Sequence, residues 1–199
     1  VGSTLQIDQY GNSSTVTHGR LSGFGGAPNM GSNPSGRRHS TPAWQSLRPD
    51  NDPLGKGQKL VVQMVETYGA NKRPVFVDSL DAVAVQKEAK LKNVPIMIYS
   101  EDTTHIVTEE GIAYLYKTDS MAERQAAIEA IAGVTPVGLR SDPAVVQDLR
   151  ARGIVALPED LGVRRTQATR SLLAAQNMAD LVQWSHGLYN PPAKFRSWS

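Results

Sequence analysis

The sequence predicts an α/β fold on three observations: short β-branched runs recur through the middle of the chain, helical stretches lie between them, and two later helices carry explicit start and stop signals. Its 199 residues suffice for one domain with a sizeable core. With 40% apolar and 20% charged residues, it lies far from the composition of disordered chains.

Thr4-Leu5-Gln6-Ile7-Asp8 and Ser14-Thr15-Val16-Thr17-His18 alternate with the period of half-buried strands, and Gly11-Asn12 supplies turn chemistry for an N-terminal hairpin. From Gly19 to Gln58 the chain is dominated by Gly, Pro, Ser and Asn, so a long loop is expected there. Loops of that length are functional or disordered. Leu60 to Val65, Val75 to Val77 and Val94 to Tyr99 read as strands, and Leu80 to Leu91 as a helix capped by Ser79.

Ser120-Met121-Ala122-Glu123 is a capping box, in which the hydroxyl and the carboxylate each satisfy a free N–H, so a helix should run to about Ile131 before Gly133. Asp142 caps a second helix, with Pro143 in its first turn and Gly153 beyond its end. A third should cover Thr166 to Trp184, with Leu173, Leu181 and Trp184 near helical spacing. The aromatic tail from Tyr189 to Trp198 is expected to dock on a surface.

Twenty-one Lys plus Arg against nineteen Asp plus Glu leave a formal charge of +2, too small for a general nucleic-acid or membrane-surface field. Any anionic partner must be held locally. With no cysteine, disulfides, thiolate catalysis and Cys-ligated metals are excluded. No apolar run approaches the roughly 18 residues of a membrane span, no signal peptide opens the chain, and a cytoplasmic location is expected. The start Val1-Gly2-Ser3-Thr4, already in an alternating pattern and without Met, reads as a fragment of a longer protein.

The densest glycine cluster is Ser22-Gly23-Phe24-Gly25-Gly26-Ala27-Pro28-Asn29-Met30-Gly31. Glycines this close let a backbone approach a ligand and aim N–H groups at an anion; a flexible turn is the equal alternative. Pro28 breaks a dinucleotide fingerprint, and Ser32 stands where a P-loop needs Lys. Arg37-Arg38-His39 follows, and guanidinium forks match phosphate and carboxylate oxygens. Glu109-Glu110-Gly111 follows an apolar stretch, which puts a carboxylate at a strand end where α/β folds place ligands. Adjacent strand residues face opposite ways, so Glu109 is expected to be buried or to face the site and Glu110 to be exposed. His18, His39, His105 and His186 show no metal-ligand spacing, and no Gly-x-Ser-x-Gly nucleophile motif occurs.

Three stretches together resemble one family. Gly23 to Gly31 with Gly36-Arg37-Arg38-His39-Ser40-Thr41-Pro42-Ala43-Trp44 resembles the glycine loop of malonate decarboxylase α subunits, although relatives often carry histidines where this chain has Ser32 and Ser35. Thr104-His105-Ile106-Val107-Thr108-Glu109-Glu110-Gly111-Ile112-Ala113 is similar to the same subunits and, more loosely, to a Val-Thr-Glu-x-Gly-x-Ala segment of CoA transferases. The ending from Gly187 to Trp198 resembles their C-terminus.

The resemblance implies a CoA-transferase-like open sheet of mostly parallel strands flanked by helices. It makes residues 1–199 the C-terminal domain of a longer subunit. It also implies an acyl-carrier-protein transferase in which acetyl-carrier plus malonate gives malonyl-carrier plus acetate, followed by decarboxylation on other subunits. The thiol would be a phosphoribosyl-dephospho-CoA group on the acyl carrier protein, with no metal. Catalytic roles fall on Gly25 and Gly26, whose amides would stabilise the thioester oxyanion, and on Glu109. The covalent glutamate of many such transferases lies upstream, so Glu109 is not assigned that role. Gly23, Asn29, Arg37, Arg38 and His39 would contact malonate or the prosthetic group. A CoA transferase using free CoA and a non-catalytic docking domain are the alternatives.

Overall fold

The computed structural model describes residues 1–17, 19–21, 60–69, 72–163, 176–184 and 190–195. Contacts divide the chain into two units, Val1–Leu157 and Pro158–Ser199.

In the first unit, β1 (Gln6–Asp8) and β2 (Ser13–Ser14) form the expected hairpin, antiparallel with Ile7 opposite Ser13. Gly11 takes φ +94° in the turn, a value that glycine adopts without steric cost. The turn is also held by Asp8, whose carboxylate accepts from the Tyr10 N–H at 2.9 Å and the Asn12 N–H at 3.0 Å. β3 (Val16–Thr17) leaves this sheet and pairs with β4 (Arg20–Leu21). β5 (Val62–Met64) lies parallel to β7 (His105–Thr108), while β6 (Phe76–Val77) lies parallel to β1. β7 turns back into β8 (Gly111–Tyr114), which pairs antiparallel with β9 (Val155–Ala156).

Two sheets of order β2-β1-β6 and β5-β7-β8-β9 result, beside the β3-β4 pair. The fold is α/β, but the expectation of mostly parallel strands is corrected: of the six strand pairings among the described residues, β1-β6 and β5-β7 are parallel and the other four antiparallel. One cause is local. Thr108 pairs with Gly111, so only Glu109 and Glu110 connect β7 to β8, and two residues can join antiparallel strands but not parallel ones.

The core forms where α2 (Met121–Ile131) lies on the second sheet. Ala127, Ile128 and Ile131 fall at spacings of one, three and four residues along one helix stripe, and they bury against a cluster that includes Ile106, Ala113 and Val155. Full burial of each large aliphatic side chain is worth about 1.5–3 kcal/mol. α2 starts where the capping box places it: Ser120 Oγ accepts from the Glu123 N–H at 3.1 Å, and the Glu123 carboxylate accepts from the Asp119 N–H at 2.8 Å. Asp142 caps α3 (Pro143–Ala151) by accepting from the Ala144 N–H at 2.8 Å. Gly133 and Gly153, at φ +60° and +66°, follow the two helix ends.

Two elements depart from expectation. The helix expected over Leu80 to Leu91 is shorter: α1 (Ala82–Glu88) begins after Asp81, and no side chain caps it, so Ser79 does not. Val94 to Tyr99 makes only an isolated bridge between Ile98 and Ser13. Pro95 has no N–H for a ladder, and the Ile96 N–H turns back to Val94 O at 2.8 Å.

In the second unit, Pro158–Leu161 is a 3-10 turn. α4 (Met178–Trp184) is the described part of the expected third helix. Asn177 accepts from the Asp180 N–H at 3.0 Å, and Asp180 accepts from the Gln176 N–H at 2.9 Å, a reciprocal cap built from an amide and a carboxylate.

Candidate functional site

Glu109 stands where the sequence places it, immediately past the end of β7. Because β5 is parallel to β7, Thr67, three residues past Met64 at the end of β5, arrives beside it. The Thr67 N–H donates to both carboxylate oxygens at 3.0 Å, and the Thr67 hydroxyl donates to Oε1. Thr67 is buried, whereas Glu109 is exposed and Glu110 half-buried. This reverses the expected order of burial. The two glutamates occupy the turn and not a strand, so strand alternation does not apply to them. Gly133 closes the other side, since a Cβ there would stand 3.2 Å from Thr67 Cγ2 and 3.3 Å from Glu110 Cγ.

Gly23, Gly25, Gly26, Asn29, Arg37, Arg38 and His39 lie outside the described residues, as does most of the aromatic tail. Among the described residues, no group of three His, Asp or Glu could hold a metal ion. No helix of the described residues is long and apolar enough to cross a membrane.

At the opposite end of β7, a cleft of about 570 Å³ opens between Asn12, the Tyr99–Thr104 segment and the approach to α2. Thr104 lines it and Glu109 does not. They are five positions apart, roughly 16 Å along an extended strand. Arg124 lines the cleft while only 9% exposed. Its Nη2 donates to Thr103 O at 2.7 Å and to Ser100 O, Nη1 to Leu115 O at 3.2 Å, and Nε to Ser100 Oγ at 3.0 Å and Tyr10 O at 3.3 Å. Burial pulls the guanidinium down to about 10, so it remains cationic at neutral pH. The sequence reading missed this residue. Its signal was the spacing: Arg124, Ala127, Ile128 and Ile131 form one i, i+3, i+4, i+7 stripe, which puts the arginine on the buried face of α2.

His105, at the start of β7, packs its ring 5.5 Å from Tyr114 and 5.1 Å from Tyr116, with Lys117 Nζ 4.9 Å over the Tyr114 ring. Thr104 Oγ1 donates its single proton to Val61 O at 2.9 Å and accepts from the Val61 N–H at 2.8 Å. The 2.9 Å contact between His105 Nδ1 and Thr104 Oγ1 therefore has the ring nitrogen as donor. Burial, and secondarily the Lys117 ammonium, push the imidazole below its ordinary value. The unfolded chain then binds this proton at higher pH than the fold does. Stability is full above about pH 6.5 and is lost as pH falls from there through the lowered folded value. Urea midpoints measured across that window should fall on acidification, and His105→Gln should flatten the fall.

The family described as "Malonate decarboxylase, alpha subunit, transporter" matches residues 1–198. The chain belongs to the malonate decarboxylase alpha-subunit family. Among curated relatives, it is 53% identical over 205 residues to the acetyl-S-ACP:malonate ACP transferase of Malonomonas rubra, covering 100% of this chain and 37% of that protein. It is 60% identical, with a TM-score of 0.73, to a chain in a Pseudomonas malonate decarboxylase hetero-tetramer solved in complex with malonate, over 99% of this chain and 36% of that one. The malonate decarboxylase alpha subunit of Acinetobacter baumannii is 62% identical, also at a TM-score of 0.73, over 98% of this chain and 36% of its own. The chain thus spans little more than a third of the length of these malonate decarboxylase relatives.

Proposed function

We propose that this chain is the C-terminal part of an acyl-carrier-protein transferase that exchanges acetyl for malonyl: acetyl-carrier plus malonate gives malonyl-carrier plus acetate. The observation that carries this reading is the 53% identity, along the whole chain, to a relative named for that reaction. The thioester sits on a phosphoribosyl-dephospho-CoA group of an acyl carrier protein, and decarboxylase subunits in the cytoplasm consume the product. Amides of Gly25 and Gly26 stabilise the oxyanion formed at the thioester carbonyl, where one such donor is worth about 3–4 kcal/mol. Gly23, Asn29, Arg37, Arg38 and His39 hold the carboxylate and phosphate groups.

Glu109 acts at the end of β7 as a carboxylate whose orientation Thr67 fixes through three hydrogen bonds. Positioned acid or base groups contribute typically 10²–10⁴-fold. Glu109→Gln in the intact subunit should lower kcat/KM for exchange by about a hundredfold at the low end of that range. Transfer of labelled malonate onto an acetyl-loaded carrier, with acetyl-CoA as the parallel substrate, is the test. Preference for acetyl-CoA would favour a CoA transferase working on free CoA, and full activity in Glu109→Gln would remove Glu109 from the chemistry.

A further inference from the structure

Helices α2 and α3 are each followed by a glycine in the left-handed region, but α1 is followed there by Lys90, at φ +51°. The bonds are those of a glycine-ended helix: the Lys90 N–H donates to Lys87 O at 3.3 Å and the Leu91 N–H to Gln86 O at 2.9 Å. Glycine takes that φ without steric cost, and lysine does not. Lys90 is exposed, so packing does not account for its presence. A side chain kept at a strained position without packing there points to function.

Lys90 belongs to a run of cations. Lys87, Lys90 and Lys92 are all exposed, and none forms an ion pair among the described residues. Glu88 is the one carboxylate between Ala82 and Ser100, so three lysines less one glutamate leave this stretch at +2. The helix dipole accounts for Lys87 in the last turn of α1. Its effect fades beyond that turn, where Lys90 and Lys92 stand.

Apolar side chains are interleaved with these charges. Leu91, which such a helix end usually packs back onto its own helix, stays 44% exposed. α1 packs against β3, and β3 pairs with β4, whose Arg20 and Leu21 are exposed, Leu21 to 66%. Arg20 likewise forms no ion pair among the described residues. In sequence, only Ser22 separates Leu21 from Gly23, the first glycine of the segment to which acyl exchange is assigned.

We propose that the end of α1, with β4 beside it, docks an acidic face of the acyl carrier protein. Four cations without counter-charges set the sign of the partner, and such charges steer encounter and fix orientation. The two exposed leucines suit a folded surface better than a free phosphate. Continuity with the glycine segment singles out the carrier, which must stay docked while its arm delivers the thioester. The identity of the partner rests on the acyl-exchange reading; the sign of its charge does not.

Exchange by the intact subunit, with acetyl-loaded carrier compared against acetyl-dephospho-CoA, tests this alongside surface plasmon resonance of the carrier alone. The triple reversal Lys87→Glu, Lys90→Glu and Lys92→Glu should raise KM for the carrier about tenfold or more, chiefly through slower association. It should leave kcat and the kinetics of acetyl-dephospho-CoA unchanged. Glu88→Gln should tighten carrier binding by removing a like charge. Lys90→Gly should raise the urea midpoint by relieving the left-handed φ and yet weaken carrier binding, a pairing that a structural role would not produce. Unaltered carrier binding in the triple reversal would overturn the proposal. So would an equal rise in KM for acetyl-dephospho-CoA, which would make the patch a contact for the phosphates of the arm, or tighter binding to phosphatidylglycerol vesicles than to the carrier. Carrier binding that follows these variants in a subunit unable to exchange acetyl for malonyl would uphold the surface and overturn the acyl-exchange reading instead.

Discussion

Arg124→Leu should destabilise the first unit by about 3 kcal/mol or more, the range reached when several buried polar groups lose their partners. Leucine matches the buried stripe of α2, so packing alone would tolerate it. The loss comes from the oxygens left behind: Tyr10 O, Ser100 O, Thr103 O and Leu115 O come from three separate segments, and one guanidinium satisfies them all. Relief from burying a cation offsets part of this cost, and water entering the neighbouring cleft offsets more. Neither replaces a fork that ties the turn after β1, the Tyr99–Thr103 segment and the entry to α2 together. Urea unfolding followed by helical circular dichroism should rank the wild type above Arg124→Lys and Arg124→Lys above Arg124→Leu, since lysine keeps the charge but gathers its donors on one atom. Equal midpoints for all three would mean that the carbonyls find other partners at no cost.

Gly138→Ala should destabilise the same unit by about 3 kcal/mol, at the upper end of overpacking effects. A Cβ there would stand 2.1 Å from Gly133 O and 2.8 Å from Ala132 C. Both are backbone atoms held by their own bonds. Thr135 Oγ1 donates to Ala132 O at 2.8 Å and accepts from the Gly138 N–H at 3.2 Å, so the turn after α2 cannot open without losing them. Gly162 provides the control. Nothing lies within 4 Å of its would-be Cβ, and only its φ of +74° opposes substitution. Gly162→Ala should therefore cost about 1 kcal/mol. Comparable midpoints for the two variants would show that the contact at Gly138 relaxes.

Local chemistry was legible in the sequence, and long-range partnership was not. Ser120, Glu123 and Asp142 announce the starts of α2 and α3 because a cap needs only neighbours three or four residues away. The first hairpin was readable for the same reason. Which strand lies beside which was not, because a run such as Val75 to Val77 looks alike whether its partner is parallel or antiparallel. Glu109 was found by its place after a strand; Thr67, which orients it, lies 42 positions away and carries no motif. Arg124 was hidden by a habit of reading charge as exposure, although its place on the apolar stripe marked it.

The union of β1 with β6 bears on how the molecule is made. Ile7 finds its neighbour only when Phe76 has emerged, so during synthesis the first strand has its hairpin partner long before its central one. Pairings that close loops of this length are slow to form. Until then Ile7, fully enclosed in the finished fold, stays open to water, and an interruption of translation before residue 76 would release a chain with an unfinished apolar edge.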